Sequence, residues 1–364
     1  MGNRPSSVQP TGPPPLLSAA VLGNLEKFGE SWTGENSIET RDAQENNILH
    51  ALFSCRGVGI SNCPVILQKI HDGLPQSRWM EAYNARNAIG CTPLWILVAY
   101  GNVNLLKNVC QKFEDANQKK AFLEILQQPN HQGDSPFLAT CSQGNTDMVR
   151  FFKEEILSAD QFTATIRESN QKGTTPLQIV VGNNHLELLE YFMGEEKSVV
   201  QSQLLERNKQ GLSLFHICSE RNAHEMLETI LTFLAETENN KGLKQIMSLK
   251  DKNGANALHV AAFCGNDEAA RVWIDAILKE NNSGDNKSAV ELLDHLDGQG
   301  RTAYWLGMVQ GRETIGTLLA DKGVDTSNPK MVQEIEEAQE RRTKAAEARK
   351  QPGQTIDGSA LIGR

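Results

Sequence analysis

Short apolar runs recur along the chain, and each follows a polar segment carrying a glycine. "TPLWILVAY" (92–100) follows "NAIGC", "SPFLATC" (135–141) follows "NHQGD", "TPLQIVV" (175–181) follows "NQKGT", and "NALHVAAFC" (256–264) follows "DKNGA". The runs fall well short of the roughly 18 apolar residues of a membrane span, and their length suits short buried helices. A second kind of segment stands before successive polar turns: "AFLEILQQPN", "FTATIRESN", "VVQSQLLERN", "GLKQIMSLKD" and "AVELLDHLD". Apolar residues here fall near i, i+3 and i+4, which predicts a brief amphipathic helix feeding each turn.

Aligned in register, the runs become copies of one frame. They cover 42–57, 87–102, 130–145, 170–185, 208–223, 251–266 and 297–312. The frame is Asp or Asn, two variable residues, Gly, one variable residue, a small or hydroxyl residue, then Pro or an apolar residue and an apolar anchor. Asx and Gly suit a tight turn, because the Asx side chain bonds nearby backbone and Gly takes positive φ freely. Thr or Ser can cap the following helix, and Pro fits its first position, where the N–H has no intrahelical partner. A later Gly or Asn suits the helix end. The turn glycines are Gly90, Gly133, Gly173, Gly211, Gly254 and Gly300, at intervals of 43, 40, 38, 43 and 46 residues. The copy at 42–57 has Glu45 in the glycine position, so its hairpin is expected to be compromised and the segment to serve as a cap.

The frame resembles the ankyrin repeat, whose hallmark is a turn, T-P-L-H and two antiparallel helices. Residues 92–95 read "TPLW", 175–178 "TPLQ" and 256–259 "NALH". The resemblance spans roughly 42–322, with periods longer than the family's usual ~33 residues. Elongated repeats of this kind look similar to those in ankyrin proteins of intracellular bacteria. The resemblance implies an all-α solenoid of helix pairs with short hairpin turns and extra short helices between repeats. It gives structural roles to the turn glycines, to Pro93, Leu94, Pro136, Pro176 and Leu258, and to His216 and His259. These histidines, with His50, stand in the family's histidine position and are expected to bond backbone of the neighbouring turn rather than to catalyse.

The expected organisation is a Pro-rich lead-in without structure over 1–15, about seven repeats over 16–325 with the first degenerate, a charged helix over 326–350 and a tail without structure over 351–364. In that helix Glu337 and Glu340 stand four residues before Arg341 and Lys344, the favourable order for ion pairs. Met331, Ile335 and Ala338 make a narrow apolar stripe suited to covering the end of an array.

Charge and chemistry narrow the reading. Lys and Arg number 36 against 45 Asp and Glu, a net charge of −9, and no basic run stands out. Such a surface repels phosphate backbones, so nucleic acid is not an expected partner. The seven cysteines include no CxxC pair. This points to reduced thiols in a cytoplasmic setting, with no metal site and no cofactor. No P-loop, GxSxG, HExxH or Rossmann motif stands in a suitable context, so no enzymatic activity is expected. "MGNRPS" makes Gly2 a candidate for myristoylation, and only such a lipid would place the chain at a membrane.

The leading functional reading is a monomeric, non-catalytic scaffold or adaptor. It binds a protein partner through hairpin tips and the concave helix face that stacked repeats imply. The tip positions, and those late in the first helix, resemble ankyrin contact sites. Here they include Ile89, Cys91, Tyr100, His131, Asp134, Lys172, Lys209, Leu212, Arg221, Lys252, Phe263 and Arg301. The alternative is a translocated bacterial effector whose array targets a host protein, with a terminal tail such as "SALIGR" as its address.

Overall fold

The computed structural model describes residues 13–113, 115–236, 243–280 and 286–350. Among them are helices and turns and no strand. Gly2 and the "SALIGR" tail lie outside the described residues. The chain divides into two compact units, Met1–Leu204 and Leu205–Arg364.

Each copy of the frame opens with a turn and continues into a first helix. In the N-terminal unit these helices are Ile48–Phe53, Pro93–Ala99, Pro136–Gln143 and Pro176–Gly182. In the C-terminal unit they are Leu214–Arg221, Ala257–Cys264 and Ala303–Gln310. Side chains of Thr92, Ser135, Thr175 and Thr302 accept the backbone N–H three residues on, and Pro93, Pro136 and Pro176 open their helices. Each such cap stabilises by about 1 kcal/mol. At the far end Gly101, Gly144, Asn184, Asn222, Gly265 and Gly311 take left-handed backbone and turn the chain back.

A second helix follows, such as Val103–Cys110, Leu186–Glu195 or Asp267–Glu280. A third element then feeds the next turn: Gln76–Asn84, Ala116–Leu126, Ala159–Arg167, Lys197–Gln203, Leu243–Met247 and Asn286–Leu293. These bridging helices account for the long period, and they sit where the amphipathic segments predict them.

First helices stack on first helices within each unit. Leu94, Leu97 and Val98, and likewise Leu258, Ala261 and Ala262, are buried between neighbours. Sealing a leucine this way is worth roughly 1.5–3 kcal/mol, and it takes a neighbouring copy to do it.

In each unit a helix that stands in for a copy packs on a first helix. At the N-terminus Pro15–Val21 packs on Ile48–Phe53, and Asn62 Nδ2 donates to the Gly23 carbonyl at 2.9 Å. At the C-terminus Pro329–Lys350 lies on Ala303–Gln310, with Ile335 and Ala338 buried and Met331 half-buried. Arg342 is its anchor: the guanidinium donates to the carbonyls of Met308 (3.1 Å) and Val309 (2.6 Å). Glu340 and Lys344 pair at 3.3 Å. Glu337 and Arg341 do not: Arg341 Nε donates to the Glu337 carbonyl, while the Glu337 carboxylate accepts from Gln333.

The turn at 42–46 is formed despite Glu45. Glu45 takes φ +61, Glu45 N–H donates to Asp42 O, and Asp42 N–H donates to Asn46 O. The expected loss of this hairpin is corrected: the remaining hydrogen bonds outweigh the 1–2 kcal/mol that left-handed backbone costs a non-glycine residue.

Candidate interaction surface

The surface is built on turns that share one design in both units. In each, the Asx Oδ1 accepts the N–H of the residues two and four ahead. Asn130 takes those of Gln132 (2.9 Å) and Asp134 (3.0 Å), and Asp251 takes those of Asn253 and Ala255 (both 2.8 Å). Asp42, Asn87, Asn170, Asn208 and Asp297 do the same.

Backbone then bonds turn to turn within each unit. In the N-terminal unit the N–H groups of Ala88, His131 and Gln171 donate to the carbonyls of Gln44, Ile89 and Gln132. In the C-terminal unit those of Lys252 and Gly298 donate to Gln210 and Asn253. The approach is close: a Cβ on Gly254, at φ +74, would stand 2.5 Å from the Gly298 nitrogen. Only glycine meets both the dihedral and the space.

In four of the T-P-L-H-like stretches the fourth residue ties its helix to the next turn. His50 Nε2 donates to the Cys91 carbonyl (2.9 Å), His216 to Ala255 (3.0 Å) and His259 to Arg301 (3.1 Å). Each ring's Nδ1 accepts a backbone N–H at the start of its own helix. Burial lowers the pKa of His50 and His259 to about 4 and lowers that of His216. Neutral rings with both nitrogens engaged are struts, not acid–base catalysts. Trp95 does the same work with an indole, its Nε1 donating to the Asp134 carbonyl at 2.8 Å.

With their backbone used in this way, the turns present side chains outward. Ile89, Tyr100 and Phe263 are 59%, 41% and 53% exposed. His131, Lys172, Lys209, Arg221 and Lys252 are also exposed, and Leu212 is half-buried. The Arg56 guanidinium stacks 4.1 Å from the centre of the Tyr100 ring.

Three expected contact positions have other duties. Cys91 is buried. Asp134 is half-buried and its carboxylate accepts from Asn170 Nδ2 at 2.9 Å. Arg301 folds back on Asp297, with Nε and Nη2 at 2.8 and 2.7 Å from Oδ2. Burial would raise the Asp297 pKa, but the bonds from Arg301 outweigh it and hold the pKa below the usual range.

Among the described residues no three His, Cys, Asp or Glu side chains converge as a metal site, and no helix is long and apolar enough to cross a membrane. The seven cysteines are unpaired, and five of them are buried. Burial raises the Cys264 thiol pKa, away from a reactive thiolate.

No family model matches the chain. Over 246 residues it is 21% identical to the leucine-rich repeat serine/threonine-protein kinase 1 of Caenorhabditis elegans, a stretch covering 65% of this chain. The chain spans about a tenth of the length of that protein. The likeness and the helical copies together describe a helical repeat protein, an architecture compatible with protein interaction.

Proposed function

We propose that the chain is an ankyrin-type interaction module without catalytic activity, and that it binds a protein partner through its turn tips and the ends of its first helices. The observation that supports this reading is the division of labour at the turns. Backbone and histidine side chains are consumed by the scaffold, while Ile89, Tyr100, Arg221 and Phe263 are left facing solvent. Aromatic and arginine side chains are the types that dominate binding energy at interfaces. The net charge of −9 favours a protein partner over nucleic acid.

The test is affinity capture with the full chain, followed by calorimetry on the identified partner with Tyr100→Ala, Arg221→Ala and Phe263→Ala. Each variant should weaken binding by roughly 1–3 kcal/mol with unchanged thermal melting. Wild-type affinity in all three would move the contact site elsewhere.

A further inference from the structure

The C-terminal unit has two long second helices, His224–Glu236 with 13 residues and Asp267–Glu280 with 14. The helix bridging them, Leu243–Met247, has five. At 1.5 Å per residue it covers about 7 Å beside neighbours of about 20 Å. In one copy of the N-terminal unit the proportion is reversed, with the 11-residue Ala116–Leu126 after the 8-residue Val103–Cys110.

The shortfall leaves a groove of about 680 Å³, with Leu231, Ala235, Leu243, Ile246, Val272 and Ala276 among its lining. Its walls are coherent helix faces. Residues 228, 231, 232 and 235 lie at i, i+3, i+4 and i+7 of one helix, and 272, 275, 276 and 279 repeat that spacing on the other. The lining carries three carboxylates, Glu228, Asp275 and Glu280, against one ammonium, Lys279. Glu280 already accepts the Leu243 N–H, whereas Glu228 and Asp275 are exposed. The adjoining segments read "TENNKG" (237–242) and "NNSGD" (281–285) and hold no apolar side chain to fill an apolar groove.

We propose that this groove docks an amphipathic helix from a partner protein, with apolar residues on one face and Lys or Arg flanking them opposite Glu228 and Asp275. Such a helix would complete the layer that Leu243–Met247 leaves short, in the manner of helix-in-groove recognition. The groove is separate from the turn tips, so the two surfaces can fail independently.

The probe is a fluorescent helical peptide of about 14 leucines and lysines, leucines at i, i+3, i+4 and i+7, titrated into the full chain by anisotropy. A scrambled peptide of the same composition is the control. The expected result is binding roughly tenfold tighter than the scramble, and a roughly tenfold loss on Ala276→Arg, which fills the groove wall. Glu228→Lys with Asp275→Lys should give a similar loss and flatten the salt dependence. This pair lies on exposed positions and carries the test if Ala276→Arg does not fold. Phe263→Ala should leave peptide binding unchanged, which separates this site from the tip surface.

Equal binding of the scramble, or indifference to both groove variants, overturns the proposal. So does a roughly tenfold gain when 237–242 is replaced by Gly and Ser, because the chain's own segment would then be the occupant. Self-association abolished by Ala276→Arg would likewise overturn it in favour of a second copy.

Discussion

In the turns of both units, from the one at Asp42 to the one at Asp297, one arrangement repeats with little change. In the outer layer of second and bridging helices, lengths run from 5 to 14 residues. The difference follows from where the hydrogen bonds go. A helix satisfies its own backbone, so the outer layer can lengthen or shorten without leaving buried polar groups unpaired. A turn cannot, so it relies on an Asx side chain, a left-handed residue, the backbone of a neighbouring turn and, at Cys91, Asp134, Ala255 and Arg301, a donor on the helix beneath. Invariance in the turns and variability outside them are two results of one constraint.

The sharpest way to break this contrast is to put a charge in the inner stack. Leu258 is buried between first helices, and Leu258→Arg should cost roughly 4 kcal/mol or more, because the guanidinium has no partner there. Thermal melting at the wild-type temperature would show that the stack tolerates what it is argued to forbid.

Acid should act on the turns next. His50 and His259 have pKa values lowered to about 4, burial being the main cause. An unfolded chain takes up these protons near pH 6.5, and the folded one does not until about 4. Stability is therefore whole above pH 6.5 and falls as pH drops toward 4, by at most about 3 kcal/mol for each ring. Asp297, whose pKa is lowered, adds a further loss below the ordinary carboxylate range. Urea titrations from pH 7 to 4 should trace this slope, and a flat profile would mean the rings accept protons while folded.

Glu45 sharpens the contrast from the other side. It is the one frame glycine position held by another residue, at φ +61. Glu45→Gly should stabilise by about 0.5–1 kcal/mol, since relief of strain exceeds the added freedom of the unfolded chain. A loss on that substitution would mean the glutamate side chain supports the turn. The smallest effect is expected at the tips, where Ile89→Ala should change stability by less than about 0.5 kcal/mol in calorimetry. A larger loss would make the tip part of the scaffold.

Much of the fold was legible because its signals are local. Asx, Gly, a capping hydroxyl and Pro act within about six residues of one another, so the turns, first helices and helix ends could be placed from the pattern. The bridging helices showed as surplus length with amphipathic spacing. The duties of Asp134 and Arg301 were not legible in the same way. Asp134 is engaged by Asn170 and by Trp95, both far along the chain. Arg301 meets Asp297, only four residues away, yet solvent was as plausible a destination until the turn fixed both side chains. Trp95 looked like a departure from the histidine position, and only the distance to Asp134 reveals an N–H serving the same carbonyl position. Arg342 gave no sign either, since one arginine in a helix rich in charge resembles its neighbours.

The backbone bonds between neighbouring turns also bear on how the chain yields to mechanical load. Within a unit, each turn is tied by one such bond to the next turn, whose frame begins 40 to 46 residues further on. A pull on the termini concentrates on those ties one after another instead of sharing the load among them. Each rupture should release a length of chain near 140 Å at about 3.4 Å per extended residue. In a force–extension trace the molecule should pay out as a series of small, nearly equal steps.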